Sequence, residues 1–287
     1  SLRFIHLDSM IKKLVSLLII VSVLSSCNTK LSDKDAANQL LRQAKQLVEK
    51  NELNGAKISI DSIHQYYPKE LATRKKANTL YNKIVLIEQR RNLAYLDSVV
   101  IIAQHESDSA AKNFVFEKDE KYQGVGNYIP LNFRTELNTR RTYLKTYVQE
   151  NGELYFSSVY YAKKPIYHQS VKVAVGDTYL ESPVVGLGDG NNHSFEDEGE
   201  RWETVIYKGK ENTAIVNFIA QNADKKITVT LQGKSNYSFV LQQSDIKSII
   251  ESLHLSVFLS DLHRIKKEQI KTQRKILILE QRLSVAE

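Results

Sequence analysis

Apolar and polar positions alternate with one period at the two ends of the chain and with another in the middle. From residue 35 the spacing is helical: Ala36, Leu40, Ala44 and Leu47 recur every three or four positions, with Asp35 placed to cap the first turn. Asn51-Glu52-Leu53-Asn54-Gly55 interrupts that stripe. Ala56, Ile60 and Ile63 resume it up to Tyr66-Tyr67-Pro68, where proline ends the helix. From Lys69 to about Gln104 there is neither Gly nor Pro, and two stripes coexist. One is Ala77, Leu80, Ile84 and Ile87; the other, on a different face, is Leu86, Leu93, Leu96 and Val100. A helix with two apolar stripes should touch partners on two sides.

At the far end, Leu255, Phe258, Leu262, Ile265, Ile276, Leu279 and Leu283 follow heptad spacing, interrupted by Gln269 and Thr272. Helices over 69–104 and 252–285 would each be ~50–55 Å long. Two arrangements satisfy this match: an antiparallel stalk within the chain, or a homo-oligomer paired through 252–285. The stalk is the working expectation. Between the helices, Val171-Val173-Val175 and Ile227-Val229-Leu231 alternate with polar residues, the period of a strand. Similar strands are expected at 141–149, 153–161, 201–207, 212–220 and 236–241. Asn151-Gly152, Gly176-Asp177 and Asn222-Ala223-Asp224 supply turns.

Seven or eight short strands without intervening helices predict an antiparallel sandwich or barrel. The expected class is therefore α+β, a helical hairpin and antiparallel helical stalk with an inserted β domain. Its boundaries are 1–26 (upstream extension and signal, removed), 27–34 (tether), 35–113 (hairpin and stalk helix), 114–243 (β domain) and 244–287 (coiled-coil-like helix). The 27–34 segment reaches at most ~25 Å when extended.

Composition narrows the class further. In 287 residues, 42% are hydrophobic and 25% charged, with 11 Gly and 4 Pro, which excludes disordered and collagen-like chains. Of 40 basic and 33 acidic side chains, residues 1–26 hold Arg3, Lys12, Lys13 and Asp8. The remainder carries a net charge of +5, too mild to demand a nucleic acid. One cysteine allows no internal disulfide and no Cys-based metal site.

That cysteine ends a signal. Met10, the only methionine, is followed by Ile11-Lys12-Lys13 and the apolar run Leu14–Leu24, then by Ser25-Ser26. A short basic region, an apolar run and small residues are the layout of an export signal. The run is about half the ~20 residues a membrane span requires. Residues 1–9, before Met10, are read as an upstream extension. Leu24-Ser25-Ser26-Cys27 resembles the lipobox of bacterial lipoproteins. The resemblance implies cleavage between Ser26 and Cys27, a diacylglycerol on the Cys27 thiol and acylation of the new amino terminus by fatty acids such as palmitate. Asn28, where Asp would favour inner-membrane retention, points to the outer membrane. Two or three acyl chains, at ~0.8 kcal/mol per buried CH₂, anchor stably. Separately, Leu40, Ala44, Leu47, Ala56, Ile60 and Pro68 resemble one tetratricopeptide unit; a plain helical hairpin satisfies the same spacing.

The search for chemistry finds no phosphate loop, no His-Glu-x-x-His and no Gly-x-Ser-x-Gly elbow. Gly186-Leu187-Gly188-Asp189-Gly190 reads as a loop. Asp189 to Glu200 holds five carboxylates, with Asp189, Asn191, Asp197 and Glu200 near calcium-loop spacing. His193 and Ser194 break that pattern, so a solvated acidic loop is the expectation and no cofactor beyond the lipid on Cys27 is assigned. Eleven of the 15 tyrosines and the single tryptophan lie within 122–237. Tyr155, Tyr161, Trp202 and Tyr207 are candidates for one ligand face, or else for the core. His64, His105 and His168 read as structural. Arg264, Lys266, Lys267, Lys271, Arg274 and Lys275 form the densest basic patch, a solvated face or a contact for lipid phosphates. The expected function is a membrane-anchored, non-catalytic envelope module with a protein or glycan partner. The alternatives are a hydrolase using carboxylates around Glu196–Glu200 and a purely architectural coiled-coil protein.

Overall fold

The computed structural model describes residues 31–121, 123–208 and 210–286. Cys27 and the residues expected to form a lipobox and export signal lie outside the described residues. Two compact units divide the chain, one formed by residues up to Arg90 together with Lys275 onward, the other by Arg91–Arg274.

In the first unit, α1 (Asp33–Glu49) and α2 (Leu53–Tyr66) form a hairpin. The cap of α1 is Ser32, whose hydroxyl accepts from the Asp35 N–H at 3.2 Å, rather than Asp35 itself. Asn51 takes a left-handed conformation between the two helices, which its short polar side chain tolerates. The buried stripe of α1 is Ala37, Leu41 and Ala44, one position round from the expected one, with Leu40 and Leu47 at its edge. Ala56, Ile60 and Ile63 of α2 close on it, as their spacing predicts. The start of α3 (Leu71–Ala110) adds Ala77 and Ile84, and the Lys57 ammonium bridges both oxygens of Glu88 at 2.6 and 2.7 Å.

In the second unit, the rest of α3 runs antiparallel to the final helix, α5 (Gln243–Ser284). Asn92 donates to Thr272, Gln269 to Asp97 and Lys266 to Gln104, at 3.2, 2.8 and 2.8 Å. Gln269 and Thr272, which interrupt the heptad, therefore sit in the seam and face polar partners on α3. The long helix at the carboxy end pairs within its own chain.

The β region has ten strands in two antiparallel sheets. They are β1 (Phe114–Glu117), β2 (Asn127–Pro130), β3 (Tyr143–Gln149), β4 (Leu154–Ala162), β5 (Ser170–Val175), β6 (Thr178–Glu181), β7 (Asn192–Asp197), β8 (Glu200–Tyr207), β9 (Thr228–Gln232) and β10 (Tyr237–Val240). The six-stranded sheet has the order β1-β2-β3-β4-β8-β7, and the four-stranded sheet β10-β9-β5-β6. Neither sheet closes on itself, so the barrel alternative falls and two open layers remain.

One further expectation is overturned. Residues 212–220 are not a strand but part of a helix, α4 (Lys210–Gln221). Ile215, Val216 and Ile219 are all buried in one core, which a strand's alternation would not allow for adjacent residues and one turn of helix does. That core joins Leu144, Phe156, Val205 and Tyr207 of the larger sheet to Val171, Val173, Val229 and Leu231 of the smaller. Ile246 and Ile249 of α5 complete it.

The β3–β4 turn is set against α5. Gly152 has φ +90°, and its carbonyl accepts from the Ser256 hydroxyl at 2.6 Å. A Cβ at this position would be driven into the Ser260 backbone. Gly152→Ala should cost about 2–3 kcal/mol, combining a conformation alanine avoids with overpacking. Urea denaturation of the two proteins measures the difference.

Candidate functional site

Strand register decides which side chains share a face of the larger sheet. Tyr143 opposes Val159, Lys145 opposes Ser157, and Tyr147 opposes Tyr155. Val159 opposes Thr204, Tyr161 opposes Trp202, and Trp202 opposes Phe195. These side chains all project to the face turned away from the smaller sheet. Tyr207 pairs with Phe156 and projects the other way, into the core. Of the four aromatics named from sequence, Tyr155, Tyr161 and Trp202 therefore share the outer face and Tyr207 does not.

The outer face also holds aromatics that the sequence pattern did not single out. Tyr147 stacks on Tyr155 with centroids 4.6 Å apart and planes at 7°. Phe195 stacks on Trp202 at 4.6 Å and 4°, and Tyr161 lies 5.1 Å from Trp202 on its own strand neighbour. Phe195 was hidden because β7 falls inside the acidic stretch. Its alternation of one aromatic among charged residues carries little strand signal.

A cleft of about 260 Å³ opens on this face, lined by Tyr143, Lys145, Val159, Phe195, Trp202 and Thr204, with Thr135, Asn138 and Thr139 opposite. The segment carrying those last three residues, between β2 and β3, is held in place from several directions. Phe133 is buried at its start. Asn138 donates to the carbonyls of Asn132 and Arg134 at 2.8 Å and accepts from the Arg141 Nε at 2.6 Å. The Arg141 guanidinium grips both oxygens of buried Asp245, at 2.7 and 3.0 Å, in the first turn of α5. The Trp202 indole N–H donates to the Thr139 carbonyl at 2.6 Å, closing the cleft's edge.

The floor of the cleft is electrostatically unusual. Among the described residues Lys145 has no hydrogen-bond or ion-pair partner, and burial pushes its ammonium below the usual lysine range. Its cross-strand neighbour Ser157 is 1% exposed, lies outside the cleft lining, and its hydroxyl has no partner among the described residues. Burial also pushes the Tyr143 hydroxyl up to about 12, against the opposing pull of Arg141. No carboxylate lines the cleft.

The acidic stretch is a hairpin. Asp197 opposes Glu200 at its tip, where Glu198 and Gly199 take left-handed conformations. Asp189 accepts from the Asn191 backbone and side-chain N–H groups at 2.8 and 2.7 Å, which lower its pKa. The six residues of β7 separate Asp189 and Asn191 from Asp197 and Glu200, by ~17–20 Å at strand rise. The four calcium-loop positions are not brought together. Glu196 is spent on Arg201 at 2.7 Å, on an exposed edge strand and outside the cleft.

On the core side lies a chain of groups in the order that serves nucleophilic catalysis. Glu203 bonds the His168 Nδ1 at 3.0 Å, the His168 Nε2 meets the Ser158 hydroxyl at 2.9 Å, and Ser158 meets the Tyr207 hydroxyl at 2.8 Å. Geometry of this kind positions a serine and its base. Here, however, Ser158 and His168 are fully buried and Glu203 is 3% exposed. Glu203 also accepts the backbone N–H groups of Ile166, Tyr167 and His168, each at 2.9 Å. The chain is a sealed brace for the β4–β5 crossover, and His168 is structural, as its isolation in the sequence suggests.

Burial would push the Glu203 carboxyl up, but hydrogen bonds from the His168 ring and from the His168 and Tyr167 backbones outweigh it and hold the pKa below its ordinary value near 4.5. A lowered folded pKa means stability that is present above the ordinary value and is lost as pH falls through the folded one. Wild-type stability should therefore decline with acidification below about pH 4.5. Glu203→Gln should lose about 3–5 kcal/mol at neutral pH and show a flatter acid limb. Urea titrations at several pH values measure both. Asp245→Asn should cost about 3 kcal/mol by leaving Arg141 unpaired, and should speed hydrogen exchange in residues 131–142. Against this geometry, no protein-family model, no curated protein and no solved structure matches the chain.

Proposed function

We propose that this protein is a lipid-anchored lipoprotein of the bacterial cell envelope, in the outer membrane, acting as a non-catalytic binding module. The observation that carries the binding half is the cleft on the outer face of the larger sheet. It combines an aromatic wall, a pinned rim and, on its floor, a lysine with no ion pair among the described residues. The anchoring half rests on Leu24-Ser25-Ser26-Cys27 and the basic and apolar residues before it. Among the described residues no helix is long and apolar enough to cross a membrane.

A binding role fits this site better than hydrolysis. The serine–histidine–carboxylate chain of Ser158, His168 and Glu203 is walled off from solvent. The carboxylates of the β7–β8 hairpin lie outside the cleft.

Cells grown with a radiolabelled fatty acid should label the wild-type protein and not Cys27→Ser. Equal labelling of the two would end the lipoprotein reading. Cross-linking with pull-down from intact envelopes should recover a partner with wild type. Trp202→Ala should weaken that recovery about tenfold, the scale of losing one aromatic anchor. Undiminished recovery would move the binding site elsewhere.

A further inference from the structure

The larger sheet ends in an exposed edge. β7 is last in its strand order, is six residues long, and pairs with β8 residue for residue without a bulge. It contains neither proline nor lysine. Short length, proline, lysine and bulges are the usual devices that keep an exposed edge from accepting another strand. β7 has none of the four, whereas the other edge strands, β1, β6 and β10, stop at four residues each.

Parity fixes which backbone groups are open. Asn191 accepts from the Ile206 N–H at 2.8 Å, and the turn at Glu198-Gly199 makes Asp197 and Glu200 the closing pair. Odd-numbered residues of β7 therefore bond to β8, and the N–H and C=O groups of Ser194 and Glu196 point away from the sheet. Among the described residues none of these four groups has a partner. Side chains alternate as well. Phe195, 60% exposed, projects to the cleft face, and Asp197 follows two positions on along that face.

Charge decides what kind of strand fits. Asp197 and Glu198 are exposed and have no basic partner among the described residues, and Glu196 keeps more than half of its side chain exposed beside Arg201. The hairpin is thus a local acidic tip on a chain whose net charge from Cys27 onward is +5. A second copy of β7 would add its own carboxylates to the same edge. A basic strand would neutralise those already there.

We infer that β7 is a docking edge for an extended, basic segment of a partner protein, which adds a strand to the larger sheet. Its main chain pairs with Ser194 and Glu196. On the cleft face it sets an apolar side chain against Phe195 and, two positions away, a basic one against Asp197. In docking of this kind main-chain bonds supply affinity and alternate side chains supply specificity. The inference goes beyond the cleft as a binding face, because the edge is complete whether or not the cleft holds a ligand.

The test uses the full chain in detergent micelles and fluorescence anisotropy with a labelled, capped peptide, TKTVTKTV, which sets lysine and valine two positions apart on one face. One control, TETVTETV, reverses the charge. The other carries N-methylated threonines, which cannot donate to the edge. The lysine peptide should bind at least tenfold more tightly than either control. Ser194→Pro removes an outward N–H and none of those that face β8, a position where an edge strand tolerates proline. It should weaken binding at least tenfold with an unchanged melting temperature. Asp197→Lys should weaken the lysine peptide several-fold and tighten the glutamate peptide.

Equal affinity for the lysine and glutamate peptides would overturn the basic partner. Undiminished binding by Ser194→Pro, or of the methylated peptide, would overturn strand addition. Concentration-dependent dimers that Ser194→Pro abolishes would assign the edge to a second copy and overturn the inference in that way. Binding of no peptide would overturn it outright. The cleft reading is judged separately, by recovery of a Trp202-dependent partner from envelopes.

Discussion

Two antiparallel sheets can share a core only if the chain crosses between them without stranding its polar backbone in apolar surroundings. Here the crossing is made between β4 and β5, and one side chain makes it possible. Glu203, on β8, accepts three consecutive backbone N–H groups of that crossover and the ring N–H of His168. A buried carboxylate is costly by itself; four donors aimed at its two oxygens offset that cost and fix the loop. Tyr167 is held in a left-handed conformation in the middle of this grip. Beyond it, β5 leaves in register to pair with β9 and β6, and Val171 and Val173 arrive over Phe156 and Val205. His168 passes the constraint on to Ser158 and Tyr207, so the crossover is braced to two strands of the larger sheet.

The two faces of that sheet handle polar groups in opposite ways. On the core side, hydrogen-bond capacity is consumed: Glu203 is saturated, Ser158 bonds twice, and Thr146 meets Ser252 of α5 at 2.7 Å. On the outer side, Lys145 lines the cleft with no ion pair among the described residues, beneath a rim that is itself pinned by Asp245, Arg141 and Asn138. A rigid rim around an unsatisfied floor is preorganised: the cost of arranging the donors is met in folding and not at the moment of binding.

Some of this was legible in the residues taken in order. Helical period with no Gly or Pro located the first long helix, and heptad spacing located the second. Period-two alternation located β5 and β9, and Asn151-Gly152 marked the β3–β4 turn. What misled was local ambiguity. The run 212–220, rich in β-branched residues, reads as a strand because Thr213, Ile215 and Val216 favour one; burial of Ile215, Val216 and Ile219 together made it helical. The stretch 189–200 reads as a loop because its charges mask the alternation of β7. Trp202 was nameable as a site candidate, but Phe195, Tyr147 and Lys145 were not, since nothing local distinguishes them from other strand residues.

By itself, then, the order of residues determined the α+β class, the positions of the long helices and the turns, because each depends on period or on a short contiguous motif. Tertiary structure alone decided the rest. Strand parity relative to the core turned Tyr155, Tyr161 and Trp202 outward and Tyr207 inward. The partner of α5 proved to be α3 of the same chain, where Asn92 and Asp97 answer Thr272 and Gln269. The cleft exists because residues 131–142, the β3–β4 pair and the β7–β8 hairpin meet in space. None of those encounters is written in a local pattern, since each links residues tens of positions apart through register and packing.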